Sequence, residues 1–124
     1  MITESNLIKY ILKESDDFAQ YLKSSDVNVK QEDNYTTLAE LARYILKSFK
    51  AKEADKLRES FRIIDDVFDK GDAYVKEAIT IGLLETLQNN ISWEKNIKQE
   101  EFLPYLPKTL KEKWGQIIDF WENK

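Results

Sequence analysis

Apolar residues recur every three or four positions along nearly the whole chain, and this spacing constrains the fold more than any other feature of the sequence. A repeat of about 3.6 residues is that of an α-helix, whereas a half-buried strand alternates every second residue. No segment of useful length alternates in that way. The clearest stripe places six apolar side chains on one helical face: Leu38, Leu41, Ala42, Ile45, Leu46 and Phe49.

Caps and breakers predict where the first helices begin and end. The first helical stretch is broken near Ser15. Thr37 and Glu40 have the spacing of a capping box, in which each side chain satisfies a free backbone amide of the other residue, so we expect a helix to begin there. A third helix is predicted from about Glu53 to Gly71, because glycine adopts the left-handed cap conformation without strain.

The next helix, predicted from an Asp72 cap to about Asn89, is apolar around nearly its whole circumference, which is typical of a central helix. Its apolar residues are Val75, Ala78, Ile79, Ile81, Leu83, Leu84 and Leu87. Glu85 is the exception and falls at the edge of the apolar face. Because an unpaired buried carboxylate is costly, we expect Glu85 to pair with Arg58 or Arg62 of the preceding helix.

Two prolines, Pro104 and Pro107, predict a short turn before the last helix. Thr109 and Glu112 form a second capping-box pattern at its start. The expected inward residues of this helix are Leu110, Trp114, Ile117, Ile118 and Trp121. Together these signals predict an all-α fold in a single domain over residues 1–124, built as a helical bundle or short helical stack of five to seven helices.

Composition excludes several classes of function. The 124 residues include no histidine and no cysteine, so the commonest general base and the thiolate metal ligands are missing. We therefore expect no enzyme activity, no cofactor and no metal. The net charge of −4 disfavours nucleic acid and anionic membranes as partners. No signal peptide and no apolar run of the ~20 residues needed to span a bilayer is visible, which predicts a cytoplasmic protein.

The densest acidic cluster, which we call the acidic junction, lies between the third and fourth predicted helices and consists of Asp65, Asp66, Asp69 and Asp72. Capping explains Asp72, but negative charge in the last turns of a helix is unfavourable. Three interpretations stay open: a divalent-metal site like those of the all-helical nucleotide pyrophosphohydrolases, a patch that meets a basic partner, and a solvated helix end. The first has only one candidate acidic pair in its favour.

Aromatic residues crowd the last third of the chain. Helical spacing places Trp114 and Trp121 in the core. Trp93 follows the central helix and Tyr105 lies between the two prolines, so these two are predicted to be exposed anchors in a partner interface. Stacking on single-stranded nucleic acid is disfavoured, because acids alternate with the lysines between residues 94 and 101.

Three segments together resemble a known family. They are Gly71–Val75, Ile81–Asn89 and Phe102–Pro107, followed by a tryptophan-bearing terminal helix. In this order they resemble a family of small all-helical bacterial proteins that includes immunity proteins of contact-dependent growth inhibition and other polymorphic toxin systems. The resemblance covers roughly residues 36–122.

This resemblance implies a binding function. An immunity protein binds the toxic C-terminal domain delivered by a sister cell and blocks its active site or substrate groove, without catalytic residues of its own. Many such toxins are basic nucleases, for which an acidic inhibitor is electrostatically suited. The alternative is a helical adaptor or regulatory protein with another protein partner. The predicted partner-binding residues are Asp65, Asp66, Asp69, Asp72, Trp93 and Tyr105.

Overall fold

The computed structural model describes residues 1–25 and 33–122, and within these ranges the chain is a single all-α domain, as predicted. Its α-helices are α1 (Leu7–Glu14), α2 (Asp16–Lys23), α3 (Asn34–Lys50), α4 (Ala54–Lys70), α5 (Ala73–Glu77), α6 (Thr86–Ser92) and α7 (Lys108–Glu122). A π-helical segment, Ala78–Glu85, joins α5 to α6 without a break. A 3₁₀ helix, Gln99–Tyr105, precedes α7.

Three of the predicted helix boundaries are confirmed. Ser15 ends α1 and caps α2, since its hydroxyl oxygen accepts a hydrogen bond of 3.2 Å from the backbone N–H of Phe18. Helix α4 begins directly after Glu53. Asp72 caps α5, because its carboxylate accepts a hydrogen bond of 3.0 Å from the backbone N–H of Val75. Such side-chain acceptors satisfy the free amides of a first helical turn.

Both predicted capping boxes are wrong, because each helix begins earlier. Asp33 caps α3 by accepting a hydrogen bond of 2.8 Å from the backbone N–H of Thr36, so Thr37 lies inside the first turn and is buried. At α7, the backbone N–H of Lys111 donates to the carbonyl oxygen of Pro107 at 2.8 Å, which starts the helix before Thr109. In both places another residue takes the N-cap position.

The expected left-handed conformation of Gly71 is also wrong. Gly71 has extended backbone angles, φ −82° and ψ 153°, and the left-handed residue is Lys52, with φ 60°, just after α3. Glycine is required at 71 by space instead, since a Cβ atom there would lie 2.9 Å from the carbonyl oxygen of Val67 and closer still to Val75. Beside it, the backbone N–H of Ile2 donates to the carbonyl of residue 70 at 2.8 Å, which ties the N-terminus to the α4–α5 junction.

The run of helix from α5 to α6 is the centre of the domain, as predicted. Six of its apolar residues have no exposed surface: Val75, Ala78, Ile79, Leu83, Leu84 and Leu87. Helix α3 packs along the π segment and α6, and α7 closes the core with Trp114, which is fully buried. The Trp114 ring lies 5.8 Å from that of Phe102 in the 3₁₀ helix. The buried surface therefore concentrates on one side of the central helical run, and its other side lines a groove.

Candidate functional site: a groove beside the π-helical segment

A groove of about 550 Å³ lies between the central helical run and the end of α7. Its lining residues are Ile81, Glu85, Thr86, Gln88, Asn89, Ser92, Gln99, Ile118, Trp121 and Glu122. Most of them come from the π segment and α6 on one side and from the last two turns of α7 on the other. We refer to this feature below as the groove.

The π segment determines which side chains face the groove. Its turns are wider than those of an α-helix, and the Thr86 hydroxyl donates a hydrogen bond of 3.3 Å to the carbonyl oxygen five residues earlier, on Ile81. Gly82 faces the other way, where a Cβ atom would lie 2.9 Å from the Tyr35 ring and 3.2 Å from Leu38 of α3. Glycine thus lets the segment pack closely on α3 while Ile81 turns outward. Such π segments occur frequently at functional sites.

Apolar side chains on both walls remain open to solvent. Ile81 is 44% exposed and Trp121 is 53% exposed, and Ile118 is half-buried beside them. The neighbouring Phe120 packs edge-on against Trp121, with the ring centroids 5.5 Å apart. The sequence analysis predicted Trp121 as inward-facing, and this is wrong. Ile81 lies on the groove side of the π segment, and α7 extends about one turn past its last buried residue, Ile117.

Glu85 is the charged residue nearest the middle of this wall. It is half-buried, and no ion pair is formed by it within residues 1–25 and 33–122. The predicted pairing with an α4 arginine is wrong. Arg62 binds Glu59 at 2.9 Å, and the guanidinium of Arg58 lies over the ring of Tyr105 at 5.3 Å. Glu85 instead faces α7, which carries no basic residue at the groove in the part of the chain that is described.

A chain of hydrogen bonds fixes the floor of the groove. The side-chain amide of Gln88 donates to the backbone carbonyl of Trp114 at 3.1 Å, and that of Gln99 donates to the backbone carbonyl of Gln88 at 2.9 Å. The indole N–H of Trp114 donates a hydrogen bond of 3.2 Å to the backbone carbonyl of Gln99. The Oε1 atom of Gln99 is buried and has no hydrogen-bond partner among the described atoms. The floor is therefore rigid and retains an unused acceptor.

The electrostatic character of the groove follows from these residues. Two carboxylates, Glu85 and Glu122, stand among its described lining residues, and no lysine or arginine does. The remaining polar groups are amides and hydroxyls, and the apolar part is formed by Ile81, Ile118 and Trp121. An arrangement of this kind suits a ligand that combines an apolar body with a cationic group, because the charge meets acceptors and the body covers exposed apolar surface.

The acidic junction is organised differently. The carboxylate of Asp66 accepts a hydrogen bond from the hydroxyl of Tyr10 and one of 3.2 Å from the ammonium of Lys70. The Tyr10 hydrogen bond, helped by the nearby Lys70 charge, holds the pKa of Asp66 below its usual value. Asp72 is occupied as the cap of α5. Two of the four acids thus have partners within the domain.

The other two junction acids form no ion pair with residues of the described ranges. Asp65 is half-buried, and burial, followed by the charges of Asp69 and Asp66, raises its pKa. Asp69 is exposed to solvent. Within the described ranges, no three acidic side chains are grouped closely enough to hold a metal ion. The junction therefore offers a small, partly neutralised negative surface.

The two predicted aromatic anchors lie away from the groove. Trp93, at the end of α6, is 82% exposed and lies beside the outer face of α3. Tyr105 is half-buried against Arg58 of α4. Arg58 lies two helical turns before Asp65 on the same helix. The structure thus does not bring the six predicted partner-binding residues together on one surface. The sequence analysis missed the groove, and none of the six residues lines it.

One family profile matches nearly the whole chain. The chain belongs to the family described as a domain of unknown function, DUF7674, whose profile matches residues 8–122. Comparison with curated proteins and with solved structures gives no match to this chain. None of the helices in the described ranges is long and apolar enough to cross a bilayer.

Proposed function

We propose that this chain is an immunity protein, a protein-binding domain that neutralises a toxin by direct contact, and that the groove is the centre of its binding surface. The observation that carries the proposal is the unpaired, half-buried carboxylate of Glu85 in a groove with exposed apolar walls. This carboxylate forms no ion pair among the described residues, so it is available to a cationic side chain of a binding partner.

The walls of the groove resemble the centre of a protein interface. Exposed tryptophan and isoleucine side chains, here Trp121 and Ile81, supply the apolar area on which contacts of high energy are usually built. The rigid floor formed through Gln88 and Gln99 lowers the entropy lost on association, since its side chains are already ordered. A basic partner segment with an apolar side chain therefore fits the groove in both shape and charge.

The specific role in toxin immunity rests on the sequence resemblance. Two of the segments that carry it, Ile81–Asn89 and the tryptophan-bearing terminal helix, supply most of the groove wall. In this proposal the chain acts in the cytoplasm, where it meets the toxin domain delivered by a sister cell, and it needs no catalytic group or cofactor. The exposed junction acid Asp69, together with half-buried Asp65, adds long-range attraction for a basic toxin.

A helical adaptor with another partner is the second candidate, and the same groove favours it. Both candidates bind a protein through exposed apolar and acidic surface, so the structure of the groove is compatible with either. They differ in the consequence of binding. An immunity protein removes a toxic activity, whereas an adaptor leaves its partner active or recruits it elsewhere.

The test uses the gene directly upstream of this chain. Its C-terminal domain is produced in bacterial cells with and without this chain, and both growth and complex formation are measured. We expect the domain to arrest growth and this chain to restore it. Glu85→Lys should abolish the protection at equal expression, while the control Glu112→Lys, the same charge change at an exposed position in the first turns of α7, should preserve it.

Three outcomes separate the candidates. A toxic domain that this chain neither binds nor neutralises contradicts the immunity role. A non-toxic domain that binds in a Glu85-dependent manner favours the adaptor. Protection that survives Glu85→Lys but is lost in Glu112→Lys would place the binding surface outside the groove.

A further inference from the structure

A second cavity, of about 380 Å³, lies between the outer face of α3 and the end of α6. We call it the basic cleft. Its described lining residues are Arg43, Leu46, Lys47, Lys50, Asn90, Trp93 and Glu94. It shares no lining residue with the groove and has the opposite character, because three of its residues are cationic and one is acidic.

The three cations lie on one face of α3. Arg43, Lys47 and Lys50 are spaced by four and three residues, which places them in a row on the helix surface. Arg43 forms an ion pair with Glu40, and Lys50 forms one with Glu94. In both pairs the cation is the more exposed partner, since the side chains of Arg43 and Lys50 are 58% and 49% exposed.

Lys47, in the middle of the row, has a different environment. No carboxylate lies within ion-pair distance of it in the described parts of the chain. Its ammonium lies 5.8 Å from the centre of the Tyr21 ring, a cation–π contact that leaves its hydrogen-bond donors available. The row thus contains one unpaired cation between two paired ones.

Trp93 forms the apolar side of the basic cleft. Its side chain is 82% exposed, the largest exposed fraction among the tryptophans of the chain, and half-buried Leu46 also lines the cavity. Tryptophan is enriched at the centres of protein interfaces, where its ring becomes covered. The exposed indole of Trp93 beside the ammonium of Lys47 therefore forms a surface that a binding partner could cover.

We infer that the basic cleft binds an acidic segment of a protein partner, with an apolar side chain of that segment packed on Trp93 and a carboxylate bound by Lys47. Charge complementarity selects this occupant. The carboxylate gains an ammonium that forms no ion pair within the described ranges, and the exposed cations Arg43 and Lys50 stand on either side of it for a second acid. The inference does not rest on the proposed function of the groove, which requires a cationic occupant.

Nucleic acid fits the same surface less well. Binding of a single strand uses a continuous basic track and several aromatic rings on which successive bases stack. The basic cleft has one exposed ring and a short row of three cations instead of a continuous track, on a chain with a net charge of −4. An acidic protein segment needs only the one aromatic contact and one or two charges.

The experiment is a selection from a displayed library of random peptides on the full chain, followed by affinity measurements with the enriched peptides. We expect enriched peptides to carry an acid close to a leucine, phenylalanine or similar residue. Trp93→Ala and Lys47→Glu should each weaken their binding at least about tenfold, the loss expected when a central interface contact is removed. The matched controls Phe120→Ala and Lys111→Glu should leave the affinity within about twofold, since both residues are exposed and neither lines the cleft.

Circular dichroism of each variant checks that the fold is retained. We expect it to be retained in Trp93→Ala and Lys47→Glu, because both side chains are exposed. Enriched peptides that lack acids, or that bind equally well to Trp93→Ala and Lys47→Glu, overturn the inference. A labelled single-stranded dT15 oligonucleotide is titrated in parallel. If dT15 binds and Trp93→Ala abolishes that binding, the cleft is a nucleic-acid site and the inference is equally overturned.

Discussion

The acidic junction and the groove both contain carboxylates on or beside helices, but they use them in opposite ways. At the junction, Asp66 is bound by Tyr10 and Lys70, and Asp72 caps α5. In the groove, Glu85 is half-buried and has no ion pair within the described chain. The junction has the higher density of charge in the sequence, whereas Glu85 stands in a groove that has no basic residue among its described lining residues.

This difference shows why acidic clustering is a weak indicator of a binding site. Adjacent acids on a helix end are often satisfied by neighbours from distant parts of the chain, as Tyr10 does for Asp66. Glu85 has no ion-pair partner among the described residues. A carboxylate without an ion pair beside exposed apolar side chains is therefore the stronger indicator of a binding surface.

The largest expected effect concerns the two faces of the π segment. Leu83→Ala should cost about 2–5 kcal/mol of unfolding free energy, because Leu83 is fully buried and its removal leaves a cavity. Ile81→Ala should cost less than about 1 kcal/mol, since Ile81 faces the groove and is already partly hydrated. Urea unfolding of both variants measures the difference. Similar costs for the two would show that Ile81 belongs to the core.

A smaller effect distinguishes the two kinds of carboxylate. Tyr10→Phe should cost about 1 kcal/mol, because it removes a hydrogen bond to the charged Asp66 at a partly exposed position. Glu85→Gln should change stability by less than about 0.5 kcal/mol, since no internal ion pair is lost. Both values come from denaturant unfolding at neutral pH. A loss of 1 kcal/mol or more in Glu85→Gln would mean that Glu85 has a structural partner.

The smallest expected effect is the pH dependence of Asp65. Burial and neighbouring acids raise its pKa in the folded chain, so the ionised form destabilises the fold at neutral pH. Asp65→Asn should therefore be more stable than the wild type at pH 7, by less than about 1 kcal/mol because the group is partly solvated. This advantage should fade as the pH falls through the raised pKa of Asp65, where the wild-type side chain becomes protonated.

Asp66 should show the opposite pH dependence in the same unfolding series. Its pKa is lowered in the fold by Tyr10 and Lys70, so its contribution to stability is present above the pKa of the unfolded chain. That contribution is lost as the pH falls through the lower, folded value. If Asp65→Asn and Asp66→Asn had the same pH profile, the distinction between free and paired junction acids would not hold.

Much of the fold followed from local signals in the sequence. The break at Ser15, the cap at Asp72 and the buried run after it each depend on residues close together in the chain, and each is confirmed. The capping boxes at Thr37 and Thr109 failed because Asp33 and Pro107, a few residues earlier, take the N-cap positions. A short motif cannot reveal which of two nearby caps the rest of the fold selects.

The groove could be predicted only in part. Ile81, Glu85 and Asn89 are four residues apart, a stripe that interrupts the apolar circumference of the central helix and that a careful helical count could have detected. The π segment was not predictable in this way, because its position depends on how Gly82 fits against Tyr35 of α3. The exposure of Trp121 likewise depends on where α7 passes beyond the core, which is a property of the tertiary packing.

The most direct test of the account is the affinity of the upstream gene's C-terminal domain for two charge-reversal variants of this chain. Glu85→Lys should weaken binding by at least about tenfold, mainly through faster dissociation, because it places a like charge inside the interface. Asp69→Lys, at an exposed junction site, should weaken it by less than about threefold, through slower association that is further reduced by salt. The reverse order, with Asp69→Lys the more damaging and Glu85→Lys without effect, would contradict the account and place the interface at the acidic junction.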